Sequence, residues 1–175
     1  YLALNPQGLI PALEIDGAVL TQSLAIIEYL DETVPAPPLL PRDAAGRARV
    51  RSLAQLVACD VHPLNNLRVL QYLTGPLGLD EARRDAWVRH WIDAGLAALE
   101  ARLAREAGTG RFCHGDAPGL ADCCLVPQLY NARRFGCALD ALPTIRRIEA
   151  ACGELDAFRL AAAEAQPDAP ADAGG

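Results

Sequence analysis

Apolar positions follow two different rhythms along this chain. Near the start they come in short runs broken by turn-forming residues; from Asp43 onward they recur at helical spacing. Pro11-Ala12-Leu13-Glu14-Ile15 is a short apolar run bounded by proline, which predicts a strand. Asp16-Gly17 follows, the dipeptide that a tight hairpin prefers because both central positions need positive φ. Ala18-Val19-Leu20 then returns antiparallel, and Leu24, Ile27, Tyr29 and Leu30 take up helical spacing. A helix therefore begins close to Gln22-Ser23. The run Thr33 to Pro41 is too rich in proline to hold a helix and marks a domain boundary.

The second rhythm predicts helices to the end of the chain. Asp43 opens a pattern with Val50, Leu53, Leu56, Val57 and Val61 on one stripe, and Arg42, Arg47, Arg49 and Arg51 off it as a solvated face. Pro63 removes a helical hydrogen bond, so a bend or break is expected near Cys59–Pro63. The pattern resumes through Leu64, Leu67, Leu70 and Leu73 and stops at Gly75-Pro76. Asp80 caps the next helix, whose Val88, Ile92, Leu96, Leu99 and Leu103 read as core beside a row of Trp87, Trp91, Ala94 and Ala98. Gly95 there lets another helix approach closely. A further helix opens after Gly119, with Asp122 able to bond back to its first turn; Gly in place of Ser or Thr leaves half a capping box and a local weakness. Pro127 bends that helix mildly, Pro143 starts another, Glu154–Ala165 is the last, and the tail 166–175 is mobile.

Composition narrows the classes. Of 175 residues, 51% are hydrophobic and only 5% aromatic, enough for a core and weighted towards helices. The net charge of −6 argues against nucleic acid and anionic membrane surfaces. No apolar run reaches the ~20 residues of a membrane span, so the expected compartment is the cytosol. The six cysteines contain no C-x-x-C and read as reduced, packed thiols, while His62, His90 and His114 lack the spacing of metal ligands. There is no Met, and the chain opens mid-pattern at Tyr1-Leu2-Ala3-Leu4, which predicts a piece of a longer polypeptide.

Candidate chemistry concentrates where the second strand meets its helix. The first N–H groups of a helix lack intrahelical partners, and the dipole favours negative charge there. Gln22 and Ser23 beside those donors suit a carboxylate with a neighbouring amine; alternatively Thr21 or Ser23 only caps the helix. Pro11 either starts an edge strand or is a cis-proline that turns the preceding backbone outward. His62, Asn66 and Arg68 surround the expected break, as a ligand wall or as a His satisfied by freed carbonyls. Arg133 and Arg134 end a helix and complement its dipole, or face a ligand.

The run NPQGLIPAL…DGAVLTQSLAIIEYLDE resembles the second half of the thioredoxin-like domain of cytosolic glutathione transferases, most closely the zeta class, which includes maleylacetoacetate and maleylpyruvate isomerases. The blocks DVHPLNNLRVL (60–70), LVPQLYNARRF (125–135) and QPDAP (166–170) continue it in order. The resemblance implies a mainly α fold: a partial thioredoxin-like β-hairpin plus helix over 1–34, then an all-helical C-terminal domain over 42–165. It implies that Ile10, before the cis-proline Pro11, pairs its backbone with the cysteinyl part of glutathione. Gln22 and Ser23 would hold the γ-glutamyl end, and His62, Asn66, Leu67 and Arg68 would add glutathione contacts. Arg134, with Arg68, would face the carboxylate of a small dicarboxylate substrate. The implied activity is glutathione-dependent isomerisation of maleylacetoacetate to fumarylacetoacetate in aromatic amino-acid catabolism, by thiolate addition, bond rotation and elimination, in a homodimer. Maleylpyruvate is the alternative substrate, and a non-catalytic dimerisation module the rival class. The thiol-activating Ser motif of the family is expected upstream of Tyr1, so this piece alone is expected to turn over little substrate.

Overall fold

Asp16 and Gly17 both adopt positive φ, 50° and 77°, and close the expected hairpin. Strand β1 (Ala12–Ile15) pairs antiparallel with β2 (Ala18–Thr21), Leu13 opposite Leu20 and Glu14 opposite Val19. These are the only two strands of the sheet among the residues described by this computed structural model, 1–169. The chain then enters α1 (Ser23–Thr33) directly. Both Ile10-Pro11 and Ala36-Pro37 are cis.

The remaining chain is helical: α2 (Ala44–Gln55), α3 (Leu67–Thr74), α4 (Glu81–Arg105), α5 (Leu120–Arg134), α6 (Pro143–Gly153) and α7 (Asp156–Leu160). Asp43 and Asp80 cap α2 and α4 as expected, accepting from the backbone N–H of Gly46 and Arg83. One apolar core runs through α2, α4, α5 and α6; Leu53, Val88, Ile92, Leu125, Leu129, Ile145 and Ile148 are buried in it. The tandem of α2 and α3 breaks around Pro63 into a wider π turn (Leu56–Val61) and a 3-10 turn (His62–Asn65). Trp87 donates its indole N–H to the Leu64 carbonyl there, at 2.8 Å. Gly95 explains how α4 fits against the break: a Cβ at that position would lie 2.1 Å from Val61 Cγ2.

Three expectations need correction. Arg49 is no part of a solvated face. Its side chain is only 15% exposed and binds Glu106 (2.7 Å), the Cys113 carbonyl (2.7 Å) and Thr109 (2.8 Å), pinning the loop after α4 to α2. Its neighbour Arg51 is taken up by a two-bonded pair with Glu28 of α1, at 2.9 and 2.6 Å. Gly119 is not a weak start for α5. The Leu39 carbonyl occupies the space of a missing Cβ, 2.8 Å away, and accepts the Leu120 N–H, while the buried Asp122 accepts from Gly119 and Cys113. The last helix does not run to Ala165: α7 ends at Leu160, and a separate 3-10 turn covers Ala163–Ala165. The expected mobile tail lies, from residue 170, outside the described residues.

Two stability predictions follow from these contacts. Gly95→Ala is expected to cost about 1–3 kcal/mol by overpacking against Val61, despite the better helix propensity of Ala. Adding Val61→Ala should cost less than the sum of the two single changes, read by urea unfolding. Arg49→Lys loses the planar fork that reaches three acceptors and should destabilise by about 2 kcal/mol. Hydrogen bonds from Arg102 and Arg49 hold the Glu106 carboxyl below its ordinary value of 4.5. Its stabilisation is therefore complete above that value and lost as pH falls through the lowered one, so the deficit of Arg49→Lys should shrink in acid titrations.

Candidate functional site

A cleft of about 410 Å³ opens between the hairpin–α1 junction and the broken helix. From the first side come Gln7, Ile10, Pro11, Gln22 and Ser23; from the second come Cys59, His62, Asn66 and Arg68. No Asp or Glu lines it, so in a chain of net charge −6 the cleft carries the positive group Arg68 and a titratable His62. A second, larger cavity of about 610 Å³ lies between α5 and the residues of α7, but its wall is mostly apolar and its Arg133 is paired with Glu149.

Local structure explains why the first cleft presents donors. Gln22 sits at φ 73° as the residue that caps α1, and its side chain makes no capping bond. Neither Thr21 nor Ser23 caps the helix, which overturns the purely structural alternative for them. The first intrahelical bond runs from Ile26 N–H to the Gln22 carbonyl, so the N–H groups of Ser23, Leu24 and Ala25 remain at the cleft wall. Ile10 is 85% exposed and precedes the ladder, which starts at Ala12. Across the cleft, Asn66 uses Oδ1 to accept the Arg68 N–H at 3.2 Å, opening α3, and its amide N–H₂ has no partner among the described residues. The His62 side chain bonds to none of the carbonyls freed by the break among the described residues, and it is exposed at the cleft.

Leu67 and Arg134 fall elsewhere. They meet in a neighbouring depression of about 370 Å³ with Leu70, Gln71, Arg84 and Phe135, on the other side of the first turn of α3. Arg68 and Arg134 thus do not share one cavity wall, contrary to their grouping as one carboxylate site. Among the described residues neither has a carboxylate partner, whereas Arg49, Arg51, Arg84, Arg102, Arg111 and Arg133 all do. The sequence reading overlooked Asn5, Gln7 and Cys59. Asn5 is 3% exposed; its side chain accepts the Gln7 N–H at 3.1 Å and donates to the Leu9 carbonyl at 2.6 Å, bracing the loop before Pro11. Asn5-Pro6-Gln7-Gly8 is a turn signal, which concealed this second role.

Residues 1–33 match the family described as Glutathione S-transferase, N-terminal domain, and residues 80–137 match Glutathione S-transferase, C-terminal domain. The maleylpyruvate isomerase of Ralstonia sp is 57% identical over 168 residues, 96% of this chain and 79% of the relative. A solved holo structure of a bacterial maleylpyruvate isomerase, a zeta-class glutathione transferase, superposes with TM-score 0.94 at 57% identity, over 97% of this chain and 80% of that one. The chain belongs to the zeta-class glutathione transferases. A maleylacetoacetate isomerase from Methylobacterium extorquens AM1, solved with malonate and glutathione bound, also gives TM-score 0.94, at 50% identity and the same coverages. This zeta-class chain has no helix long and apolar enough to cross a membrane, and no cluster of metal-ligating side chains, among its described residues.

The thiols of this zeta-class chain differ sharply in exposure. All six are free. Burial pushes Cys123 and Cys137 up to about 11 and Cys124 and Cys152 to about 12, and raises Cys113 further with help from Asp122. Cys59 alone is exposed. Iodoacetamide near neutral pH is therefore expected to label Cys59 alone, as read by peptide mass spectrometry, and a ligand in the cleft should slow that labelling.

Proposed function

We propose that the protein catalyses glutathione-dependent cis–trans isomerisation of maleylacetoacetate to fumarylacetoacetate in aromatic amino-acid catabolism, as a cytosolic homodimer. Residues 1–34 act as the glutathione-binding half domain and 42–165 as the helical domain. One observation carries the reading: the cleft between the hairpin–α1 junction and the broken helix has no acidic residue, a helix amino end with unused N–H groups and, among the described residues, an arginine without a carboxylate partner on its wall. Glutathione is an anion with a free α-amino acid end, and the donor set fits it. Gln22 and Ser23 hold the γ-glutamyl end, the backbone of Ile10 beside Pro11 holds the cysteinyl part, and His62, Asn66 and Arg68 surround the rest.

Glutathione, when bound, supplies the thiolate that makes the double bond free to rotate. The chain's own groups hold charge in place. Arg68 offers a cation where a carbonyl conjugated to the double bond gains negative charge, and its planar fork matches a carboxylate. Arg134 lies across the first turn of α3 in the neighbouring depression, where it meets a substrate carboxylate that extends past Leu67. Maleylpyruvate is a second reading, supported by the 57% identity to the Ralstonia maleylpyruvate isomerase.

In a chain that carries the upstream segment the family resemblance implies, retention on immobilised glutathione together with isomerase turnover is the expected result, and the ratio of kcat/KM for the two substrates assigns the natural one. Absence of both leaves the non-catalytic module. Arg134→Ala should raise the KM for the dicarboxylate about tenfold while the KM for glutathione stays unchanged, because only a substrate contact is removed. An unchanged substrate KM returns Arg134 to the surface.

A further inference from the structure

Trp87 is not on the cleft wall, and it reaches the cleft only through a carbonyl. In an unbroken α-helix the Leu64 carbonyl would accept the N–H of Arg68, four residues on. Here that N–H goes to Asn66 Oδ1 at 3.2 Å, the cap that starts α3 afresh, and Leu64 loses its helical donor. The indole N–H of Trp87 on α4 supplies the bond instead, at 2.8 Å. Trp87 is itself held: Trp91 stands edge-on to it with ring centroids 5.7 Å apart, and Val88 and Ile92 beside it are buried in the core. The other end of the same turn is held too, because the buried Asn65 donates from Nδ2 to the Val61 carbonyl at 3.2 Å. Asn66 is what remains to move. Its backbone is extended, φ −67° and ψ 145°, between a 3-10 turn and a helix.

We propose that Trp87 is a positioning residue for the cationic wall of the cleft: by occupying the Leu64 carbonyl it keeps the Arg68 N–H on Asn66, and with it the direction in which α3 carries the Arg68 side chain. The inference rests on the glutathione reading above and adds to it a residue outside the cleft. Two acceptors compete for one donor. Leu64 is the helical partner of the Arg68 N–H and Asn66 Oδ1 the capping one, and they demand different backbones at Asn66. Leu64 and Trp87 are half-buried, and a carbonyl shielded from water that loses its donor is costly. Without the indole N–H, that cost draws the Arg68 N–H back to Leu64 and turns Asn66 helical. Arg68 is the guanidinium on the cleft wall, so its aim decides how an anion is met.

Trp87→Phe keeps an aromatic ring on α4 and removes the donor. Trp87→3-benzothienylalanine, which has the shape of Trp without the N–H, serves where Phe packs too loosely to fold. Backbone chemical shifts of Asn66, read by NMR without any ligand, should move towards helical values in either variant. Unchanged Asn66 shifts overturn the proposal whatever binds in the cleft. Calorimetric titration with glutathione, in the chain that carries the upstream segment, reads the consequence. Either Trp87 variant should weaken glutathione about fivefold, and in an Arg68→Ala background by less than about twofold, because the residue acted upon is gone. Equal weakening in both backgrounds, or none in either, overturns the proposal; the first result makes Trp87 a general support of the fold. Arg49→Lys, away from the cleft wall, controls for stability alone: it should lower the thermal midpoint and leave glutathione affinity within about twofold. A loss there equal to that of the Trp87 variants overturns the proposal as well. Failure of the unsubstituted protein to bind glutathione sinks the glutathione reading itself, while the Asn66 shifts still decide whether Trp87 holds the turn.

Discussion

A helix that begins without a side-chain cap has donors left over, and α1 is such a helix. Its first N–H groups face a cleft because Gln22, at positive φ, swings the entering chain so that no side chain reaches back to satisfy them. The surrounding elements hold this arrangement. The hairpin register places Thr21 at the end of the ladder opposite Ala12, so the strand delivers Gln22 at a fixed point beside Pro11. Glu28 on α1 grips Arg51 on α2, and Asp31 accepts the Leu39 N–H, so the far end of α1 is tied to the helical half. The uncapped end is thus a constrained part of the fold and not a frayed one.

The opposite wall depends on a second departure from regularity. A continuous helix from Ala44 to Thr74 would carry its side chains past the cleft at a constant pitch. The π and 3-10 turns around Pro63 change that pitch and bring Cys59, His62, Asn66 and Arg68 to the same side. The break is stabilised from behind, where Gly95 lets Val61 press against α4 and Trp87 satisfies the Leu64 carbonyl. The first wall therefore owes its chemistry to backbone groups that secondary structure did not consume, and the second to side chains that the break re-aims.

Much of this was legible in the residues. Asp16-Gly17, the change from short apolar runs to helical spacing, Pro63 and the caps Asp43 and Asp80 are local signals, and local signals survive folding. What escaped was non-local. Arg49 lies off the apolar stripe by helical geometry, and nothing near it in sequence says that the loop at Glu106–His114 folds back to enclose it. Gly119 lacks the expected hydroxyl, but its partner, the Leu39 carbonyl, is far away along the chain. In the same way nothing near Gln7 in sequence says that the chain brings it against Gln22. The motif blocks named the right neighbourhood, yet they grouped Leu67 and Arg134 with residues that α3 turns to its other side.

Charge pairing then sorts the arginines in a way that periodicity could not. Where a guanidinium group has a carboxylate within reach, as at Arg49, Arg51, Arg102, Arg111 and Arg133, its role is to join elements, and its field beyond the pair is small. Arg68 and Arg134 have no such partner among the described residues, and each sits at the rim of a cavity beside α3. Arg42, Arg47, Arg89, Arg105 and Arg147 also lack a carboxylate partner among those residues, so what sets Arg68 apart is its place on the wall of the first cleft. The absence of Asp and Glu from the cleft wall completes the pattern. A charge kept free, facing donors kept free, is the arrangement that an anionic ligand completes.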